Sequence, residues 1–381
     1  LRRSGLKISL TEWMALMEAL DKGLEGASLT GFYYLCRALL VKTEADFDRF
    51  DRAFLEYFKN VPFQQEVSQE LMDWLNRPDV LNDYANWDEE QALKNMREQN
   101  QYICYLYPYS IPYYRRKGWE LISDKISYEI KDYQLPKNHQ VTGSVRRVKA
   151  DGEELKETRF AEHTHGAILR DELAWNEYWL WDRDDIMAAI YYNENEEPDG
   201  YIIYWIENEV FYIKDMIFNH EEARTGLWNF VSAHFSMIDR VEGSTYTDEP
   251  LAFLLEDASI KESISPYYMA RIVDFPAFVA DYPFKADGTE REWRFSMTDP
   301  IMECNQGSFL LKISKDGRGT AVKISEPCAD SISIQTMTTM LMGYKRPDYL
   351  AKIGRIHAGG ETIDMLEDAI EQQPPYISDY F

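Results

Sequence analysis

MAAIYYNENEEPDGYIIYWIENEVFYIKDMIFNHEEARTGLWNFVSAHFSM, residues 187–237, decides the fold. Residues 187–193 form a run of aromatic and small apolar side chains and predict a strand. Pro198-Asp199-Gly200 predicts a turn. Residues 201–207 predict a second strand, Asn208-Glu209 a tight turn, and residues 210–219 a third strand. Residues 221–237 then change period, with Ala223, Leu227, Phe230, Val231 and His234 on one helical stripe. Three antiparallel strands feed a helix, so this part is α+β.

Upstream, a helix is expected over 90–100, a short strand over 102–106, a short helix broken by Gly118, and one or two strands over 119–130. PKNHQVTGSV, residues 136–145, predicts a connecting loop. Further upstream, residues 1–88 predict helices only. Ser9-Leu10-Thr11-Glu12 is a capping box, and Leu10, Trp13, Met14, Met17 and Leu20 follow at helical spacing. Helices are also expected over 28–42 and 44–60. The face bearing Asp48, Arg49, Asp51 and Arg52 reads as a solvated surface. Downstream of about residue 282, GSFLLKISKDGRGTAVKIS (307–325) carries an Asp316-Gly317 hairpin. Helices over 333–342 and 362–371 complete a separate α+β domain.

The chain has 381 residues, which suggests two or three domains at about 150 residues each. Its net charge of -25 opposes a broad phosphate-backbone binder, because nucleic-acid affinity comes from clustered Lys and Arg. The same charge suits cationic small molecules. Mean hydropathy is -0.48 and no apolar run approaches the ~18 residues that span a bilayer, so neither nucleic acid nor membrane is expected as a partner. No charged-then-apolar leader opens the sequence, although it starts at Leu1, which leaves room for residues upstream. Cys36, Cys104, Cys304 and Cys328 are scattered and read as reduced thiols in a cytoplasmic protein.

Two families share blocks with this sequence. GLKISLTEWMALMEAL (5–20), FYYLCRALLVKTEADFDRFDRAF (32–54) and EYFK (56–59) resemble the N-terminal helical part of CoxE-like von Willebrand factor A proteins. The metal site of those proteins, Asp-x-Ser-x-Ser, has no complete copy here; Asp257-Ala258-Ser259 is followed by Ile260 and Lys261. The second resemblance runs from about residue 90 to the end. LKNMREQNQYICYLYPYSIPYYRRKGWELISDKISYEI (93–130), residues 200–241, EPLAFLLED (249–257), PYYMARIVDFPAF (266–278), YPF (282–284) and SDYF (378–381) occur in one order. Together they resemble the enhanced intracellular survival (Eis) family of GNAT N-acetyltransferases. Joined to the CoxE-like segment, that likeness implies an α+β chain with four parts. They are a helical CoxE-like segment over 1–88, the C-terminal part of a first GNAT region over 89–150, a second, degenerate GNAT region over 151–281, and a sterol-carrier-protein-like (SCP2-like) domain over 282–381. It also implies a hexamer and acetyl transfer from acetyl-CoA, the co-substrate, to amine groups.

By the same resemblance, Tyr114 holds the place of the catalytic tyrosine, with Tyr113 as the alternative. A phenol with pKa near 10 can protonate a departing thiolate. The α-carboxylate of Phe381 holds the place of the base that takes a proton from the amine. Trp205 and Glu207 would line a groove near the chain end. The family's Arg-x-x-Gly-x-Gly/Ala loop, whose amides cradle pyrophosphate, has no counterpart in residues 1–90, and Arg224-Thr225-Gly226 is only a remnant of one. Donor binding is therefore expected to be impaired. A non-catalytic binding or assembly protein, and a join of two unrelated fragments near residue 88, are the alternatives. No metal is expected. His163-x-His165 beside Glu162 lacks a third ligand, and Asp182, Asp184 and Asp185 read as a solvated turn.

Overall fold

Strands that alternate buried and half-buried residues need a partner on each edge and a cover on at least one face. In the computed structural model the strands of the described residues form three sheets. The structure describes residues 89–108, 110–150, 152–179, 186–246 and 251–379, with five further positions, Leu16, Cys36, Leu40, Phe50 and Phe54. Those five are helical and buried, and the rings of Phe50 and Phe54 lie 5.6 Å apart. The chain divides into two units, residues 1–95 and 96–381.

In chain order, the elements begin with α1 (Glu89–Glu98), β1 (Ile103–Leu106), α2 (Ile111–Arg116), β2 (Glu120–Leu121) and β3 (Asp124–Lys131). β4 (Ser144–Val148), α3 (Phe160–His163), α4 (Glu172–Trp179), β5 (Met187–Tyr192), β6 (Pro198–Glu207), β7 (Val210–Phe218) and α5 (Glu221–Ser232) follow. After β8 (Arg240–Thr245), β9 (Lys261–Pro266) and β10 (Met269–Ile272) comes the C-terminal domain. It contains α6 (Phe275–Asp281), β11 (Arg291–Thr298), β12 (Gly307–Ile313), β13 (Gly319–Ile324), β14 (Asp330–Ser333), α7 (Ile334–Leu341), α8 (Pro347–Lys352), β15 (Ile356–His357) and α9 (Gly360–Ala369).

The first two sheets exchange strands. β3 follows β2 in sequence but lies in the seven-stranded sheet β4-β5-β6-β7-β8-β3-β9, between β8 and β9. β10 follows β9 but lies in the three-stranded sheet β1-β10-β2, between β1 and β2. Each sheet thus takes its penultimate strand from the other half, and both exchanged strands pair antiparallel on both sides. The exchange ties residues 103–131 to residues 240–272 through main-chain hydrogen bonds.

One face of the long sheet is closed by α5. Ala223, Leu227, Trp228 and Val231 pack there against Tyr128, Ile130, Ala189, Ile202, Tyr204 and Phe211. Ala188, Ile190, Tyr201, Ile203 and Ile217 belong to a second core that includes Tyr376 and Ile377 of the C-terminal segment. In the C-terminal domain, sheet β13-β12-β11-β14-β15 packs Phe295, Phe309 and Leu311 against Phe275, Val279, Met337 and Met340. Arg271 of β10 meets Asp299 at 2.7 Å, both side chains fully buried, and its other nitrogen donates to the Lys117 carbonyl.

The meander and its helix stand as the sequence predicts, but one turn moves. Pro198-Asp199-Gly200 opens β6 instead of forming the turn, which falls at Asn193–Glu197, where Glu196 is left-handed at φ 62°. Gly200 is small for packing: a Cβ there would lie 2.7 Å from the Ile217 carbonyl. Asn208 and Glu209 do form the tight turn, with φ of 52° and 60°. The helix expected to reach residue 237 stops at Ser232, and a 3-10 turn covers Phe235–Met237. The loop expected over 136–145 already contains the start of β4, and α8 had no counterpart among the expected elements.

Candidate functional site

β7 and β8 run parallel from Val210/Arg240 to Ile213/Gly243, and beyond that point no pairing continues although both strands do. A bulge accompanies the parting. Ile203 faces Asp215 and the next residue, Tyr204, faces Ile213, so Lys214 is the extra residue. One extra residue moves the following side chains to the other face of the sheet. Phe211 and Ile213 therefore pack under α5, whereas Asp215 and Ile217 turn toward the C-terminal segment.

Asp215 is 2% exposed and organises that segment. Its carboxylate accepts from the Tyr376 hydroxyl at 2.8 Å, the Ser378 hydroxyl at 3.1 Å and the Tyr178 hydroxyl at 3.3 Å. Arg170 closes the network. It donates to both oxygens of Asp379 at 2.6 and 3.1 Å, and its guanidinium lies 4.2 Å from the Tyr178 ring and 4.7 Å from the Trp175 ring. Tyr267 donates to the Asp379 carbonyl at 2.9 Å, and the Tyr376 amide donates to the His165 carbonyl at 2.9 Å. Burial raises the Asp215 carboxyl above its ordinary value, against the opposing pull of Arg170 and the Tyr376 hydrogen bond. Burial also lifts the Tyr178 and Tyr376 phenols, with the Asp215 charge adding to it.

Two cavities flank the segment, and Ser378 lines both. One, of about 210 Å³, lies beside Arg170, Tyr201 and Asp215. The other, of about 660 Å³, opens where β7 and β8 part, between Lys125, Lys214, Trp205, Tyr212, Tyr246 and Tyr267. Of the two residues expected along a groove, Trp205 lines the larger cavity; Glu207 lies exposed at the end of β6 and lines neither.

Tyr114 sits on α2, half-buried, with its ring edge-on to Tyr113 at 5.3 Å and to Trp119 at 6.0 Å. The same turn is held from behind by Arg271 through the Lys117 carbonyl. Neither Tyr113 nor Tyr114 lines the two cavities beside the C-terminal segment. Phe381 lies outside the described residues, two positions beyond Asp379.

The start of α5 is occupied by the chain itself. Glu222 accepts from the Thr142 amide at 2.6 Å and its hydroxyl at 2.7 Å, and Glu221 binds Arg224. Gly226 stands inside the helix, where a Cβ would lie 2.4 Å from the Tyr191 ring. Arg224-Thr225-Gly226 is therefore helix surface and packing, and two carboxylates stand where a phosphate would have to approach. His165 spends its ring nitrogen on the Met342 carbonyl at 2.9 Å. Among the described residues no three His, Cys, Asp or Glu side chains converge as metal ligands, and Asp182, Asp184 and Asp185 lie outside them.

Asp215, Arg170, Asp379 and Lys125 were not singled out by sequence reasoning. The available signal was Asp215 itself, a carboxylate in phase with the buried Phe211, Ile213 and Ile217.

Comparisons with known proteins agree with this architecture. Residues 90–122 and 166–272 match models of the acetyltransferase (GNAT) domain, residues 275–378 the sterol carrier protein domain, and residues 1–61 the CoxE N-terminal helical bundle domain. No curated protein matches the chain. Among solved structures, a conserved protein of unknown function from Enterococcus faecalis V583, described as a probable N-acyltransferase, is 24% identical with a TM-score of 0.71. The match covers 77% of this chain and 76% of that one. A GCN5-related N-acetyltransferase from Anabaena variabilis is 21% identical, TM-score 0.69, covering 81% and 79%. Eis1 from Mycobacterium abscessus is 17% identical, TM-score 0.64, covering 80% and 79%. No helix among the described residues is long and apolar enough to cross a membrane. The chain is an α+β protein in which a helical N-terminal segment precedes GNAT-type acetyltransferase sheets and a sterol-carrier-protein-like C-terminal domain.

Proposed function

We propose that the chain is an N-acetyltransferase of the Eis type that uses acetyl-CoA and acts on amine groups of small molecules, aminoglycoside-type or other cationic amines. In this reading the Phe381 carboxylate accepts a proton from the amine and the Tyr114 hydroxyl gives one to the departing thiolate. The observation that carries the proposal is the anchored C-terminal segment. Asp215, Arg170 and Tyr267 hold it as far as Asp379, two residues short of Phe381. A free tail would gain nothing from a buried carboxylate and a nearly buried guanidinium, because desolvating both is costly. The net charge of -25 supports a cationic acceptor. A cytoplasmic location and assembly as a homo-oligomer, hexameric as in that family, belong to the same proposal.

A second reading, a non-catalytic binding or assembly protein, is favoured by the start of α5, where the Glu222 carboxylate, held by the Thr142 amide and hydroxyl, would repel pyrophosphate. Calorimetry with acetyl-CoA separates the two. Submillimolar binding supports the enzyme, and no heat at millimolar donor supports the scaffold. If the donor binds, Tyr114→Phe should lower turnover without weakening donor binding, and one extra residue after Phe381 should impair acetylation. Unchanged turnover in both variants would remove these two groups from the mechanism.

A further inference from the structure

α2 carries Tyr114 but has no core of its own. It is six residues long, none of them is buried, and the Ser110 side chain at its start makes no cap. So short a helix has no independent stability, and its direction is set by what it is tied to. Its last turn is tied to a carboxylate. Glu120, the first residue of β2, has a side chain only 2% exposed. Its Oε1 accepts from the Arg115 Nε at 2.8 Å, from a second Arg115 nitrogen at 2.7 Å and from the Leu121 amide at 3.0 Å. Its Oε2 accepts from the Arg355 guanidinium.

Arg355 belongs to the C-terminal domain. It lies between α8 and β15, and its amide donates to the Leu350 carbonyl at 2.8 Å. Three further side chains of that domain grip the same stretch. Gln335 of α7 donates to the Arg115 carbonyl at 3.0 Å, Thr339 to the Leu121 carbonyl at 2.7 Å, and Tyr344 to the Asp124 carboxylate at 2.8 Å. Trp119, the neighbour of Glu120, is the buried ring on which Tyr114 leans. Glu120 thus joins α2, the ring beneath Tyr114 and the C-terminal domain at a single carboxylate. The side chains of Arg115 and Arg355 are 46% and 35% exposed, so the enclosed acid is the fixed point and the two cations settle on it.

We infer that Glu120 is a positioning residue for acetyl transfer: through Arg115 it sets the direction of the Tyr114 phenol, and through Arg355 it makes the sterol-carrier-protein-like domain part of that setting. The inference rests on the reading of Tyr114 as the acid that protonates the departing thiolate. Proton transfer needs a donor within hydrogen-bond reach, and a misplacement of about 1 Å can cost about a hundredfold in rate.

The test uses the full chain. 3-Fluorotyrosine placed at position 114 alone gives a fluorine resonance whose shift and width report the setting of that ring without any turnover. Glu120→Gln keeps the volume but turns an amide N–H toward one of the two guanidinium groups. It should shift or broaden the resonance, and Arg355→Met, a change on a part-exposed side chain, should do the same. Arg355→Lys should restore most of the unmodified signal, since one nitrogen of Arg355 makes the contact. The same label at Tyr192 on β5 should stay unmoved in every variant. In steady-state acetylation of kanamycin, Glu120→Gln should lower kcat about tenfold and keep KM for acetyl-CoA within about twofold. Added to Tyr114→Phe it should cost less than about twofold more, because both changes act through one phenol. An unmoved position-114 resonance, equal disturbance of both labels, or a full tenfold loss on top of Tyr114→Phe would each overturn the inference. Turnover that is absent, or indifferent to Tyr114→Phe, overturns instead the acid role of Tyr114, and the fluorine spectra then decide whether Glu120 sets that ring.

Discussion

The Tyr376 hydroxyl donates to the Asp215 carboxylate across 2.8 Å, joining positions 161 residues apart. Three hydroxyls converge on this one buried acid, so its removal strands several donors at once. Asp215→Ala should cost about 3–5 kcal/mol, the range for breaking a buried charged network. Tyr376→Phe removes one hydrogen bond and keeps the ring against Phe160, so it should cost about 1–2 kcal/mol. Urea unfolding of both variants measures this. A loss below about 1 kcal/mol for Asp215→Ala would show that the segment is held by its apolar contacts instead.

The raised Asp215 carboxyl fixes the sign of a pH effect. A carboxyl whose folded value lies above its unfolded 3.8 favours folding in its protonated form. That contribution is present below 3.8 and is lost as pH rises through the folded value. Asp215→Asn removes the titration and leaves every other group in place. Relative to Asp215→Asn, the unmodified chain should therefore lose stability as pH rises above about 4. Denaturation midpoints of the two proteins, compared at each pH, give the difference. A constant gap, or one of opposite slope, would assign the acid to a fully compensated ion pair.

Local chemistry explains which features were legible in the sequence. Asn208-Glu209 was readable because a two-residue hairpin turn needs left-handed residues, and Asn adopts that conformation at low cost. Ser333 ahead of α7 was readable as a helix start, and its hydroxyl does accept from the Thr336 amide at 3.2 Å. Pro198-Asp199-Gly200 misled because each residue has a use outside turns. Pro198 begins a strand, Asp199 binds His220 at 2.9 Å, and Gly200 lets β7 approach. The strand exchange was not legible, because which of two sheets receives β3 or β10 is decided by partners about 110–170 residues away. The Asp215 network was hidden for the same reason, and its face is set by a bulge at Lys214 that leaves no composition signal.

Gly118 ends α2 at φ 94°, and a Cβ there would fall 1.4 Å from the Arg271 guanidinium. Gly118→Ala combines a left-handed strain with a clash against a fully buried cation, which has no room to move away from Asp299. The substitution should destabilise by about 3 kcal/mol or more. Because the same turn carries Tyr114, near-ultraviolet circular dichroism should also report altered packing of Trp119. Full stability in Gly118→Ala would mean that the Arg271–Asp299 pair does not fix this turn.

Arg170 is the cation that fastens the last described residue. Lysine supplies one point charge in place of a planar fork, so Arg170→Lys cannot hold both Asp379 oxygens and stack on Tyr178 and Trp175 together. Timed carboxypeptidase digestion is the direct readout. Trimming should halt near Asp379 in the unmodified chain and pass Tyr376 in Arg170→Lys. If acetyl transfer is detected in the unmodified chain, the variant should lower its turnover by about tenfold with donor affinity retained. Equal trimming of both proteins would show that the clamp does not depend on the guanidinium.

Gly226 separates a packing glycine from a phosphate-loop glycine. Its missing side chain makes room for the Tyr191 ring, which the Gly143 amide fixes by donating to its hydroxyl at 3.1 Å. Gly226→Ala therefore drives a methyl group into a held ring, an overpacking worth about 1–3 kcal/mol, against a helix-propensity gain of about 1 kcal/mol. A net loss of stability is expected because the ring cannot swing aside without giving up that hydrogen bond. If the glycine served phosphate instead, the same substitution would leave unfolding unchanged and weaken acetyl-CoA. Parallel measurement of unfolding and of donor binding in Gly226→Ala thus reads both possibilities from one variant. Unaltered stability with lost donor affinity would return the start of α5 to the list of nucleotide-binding elements.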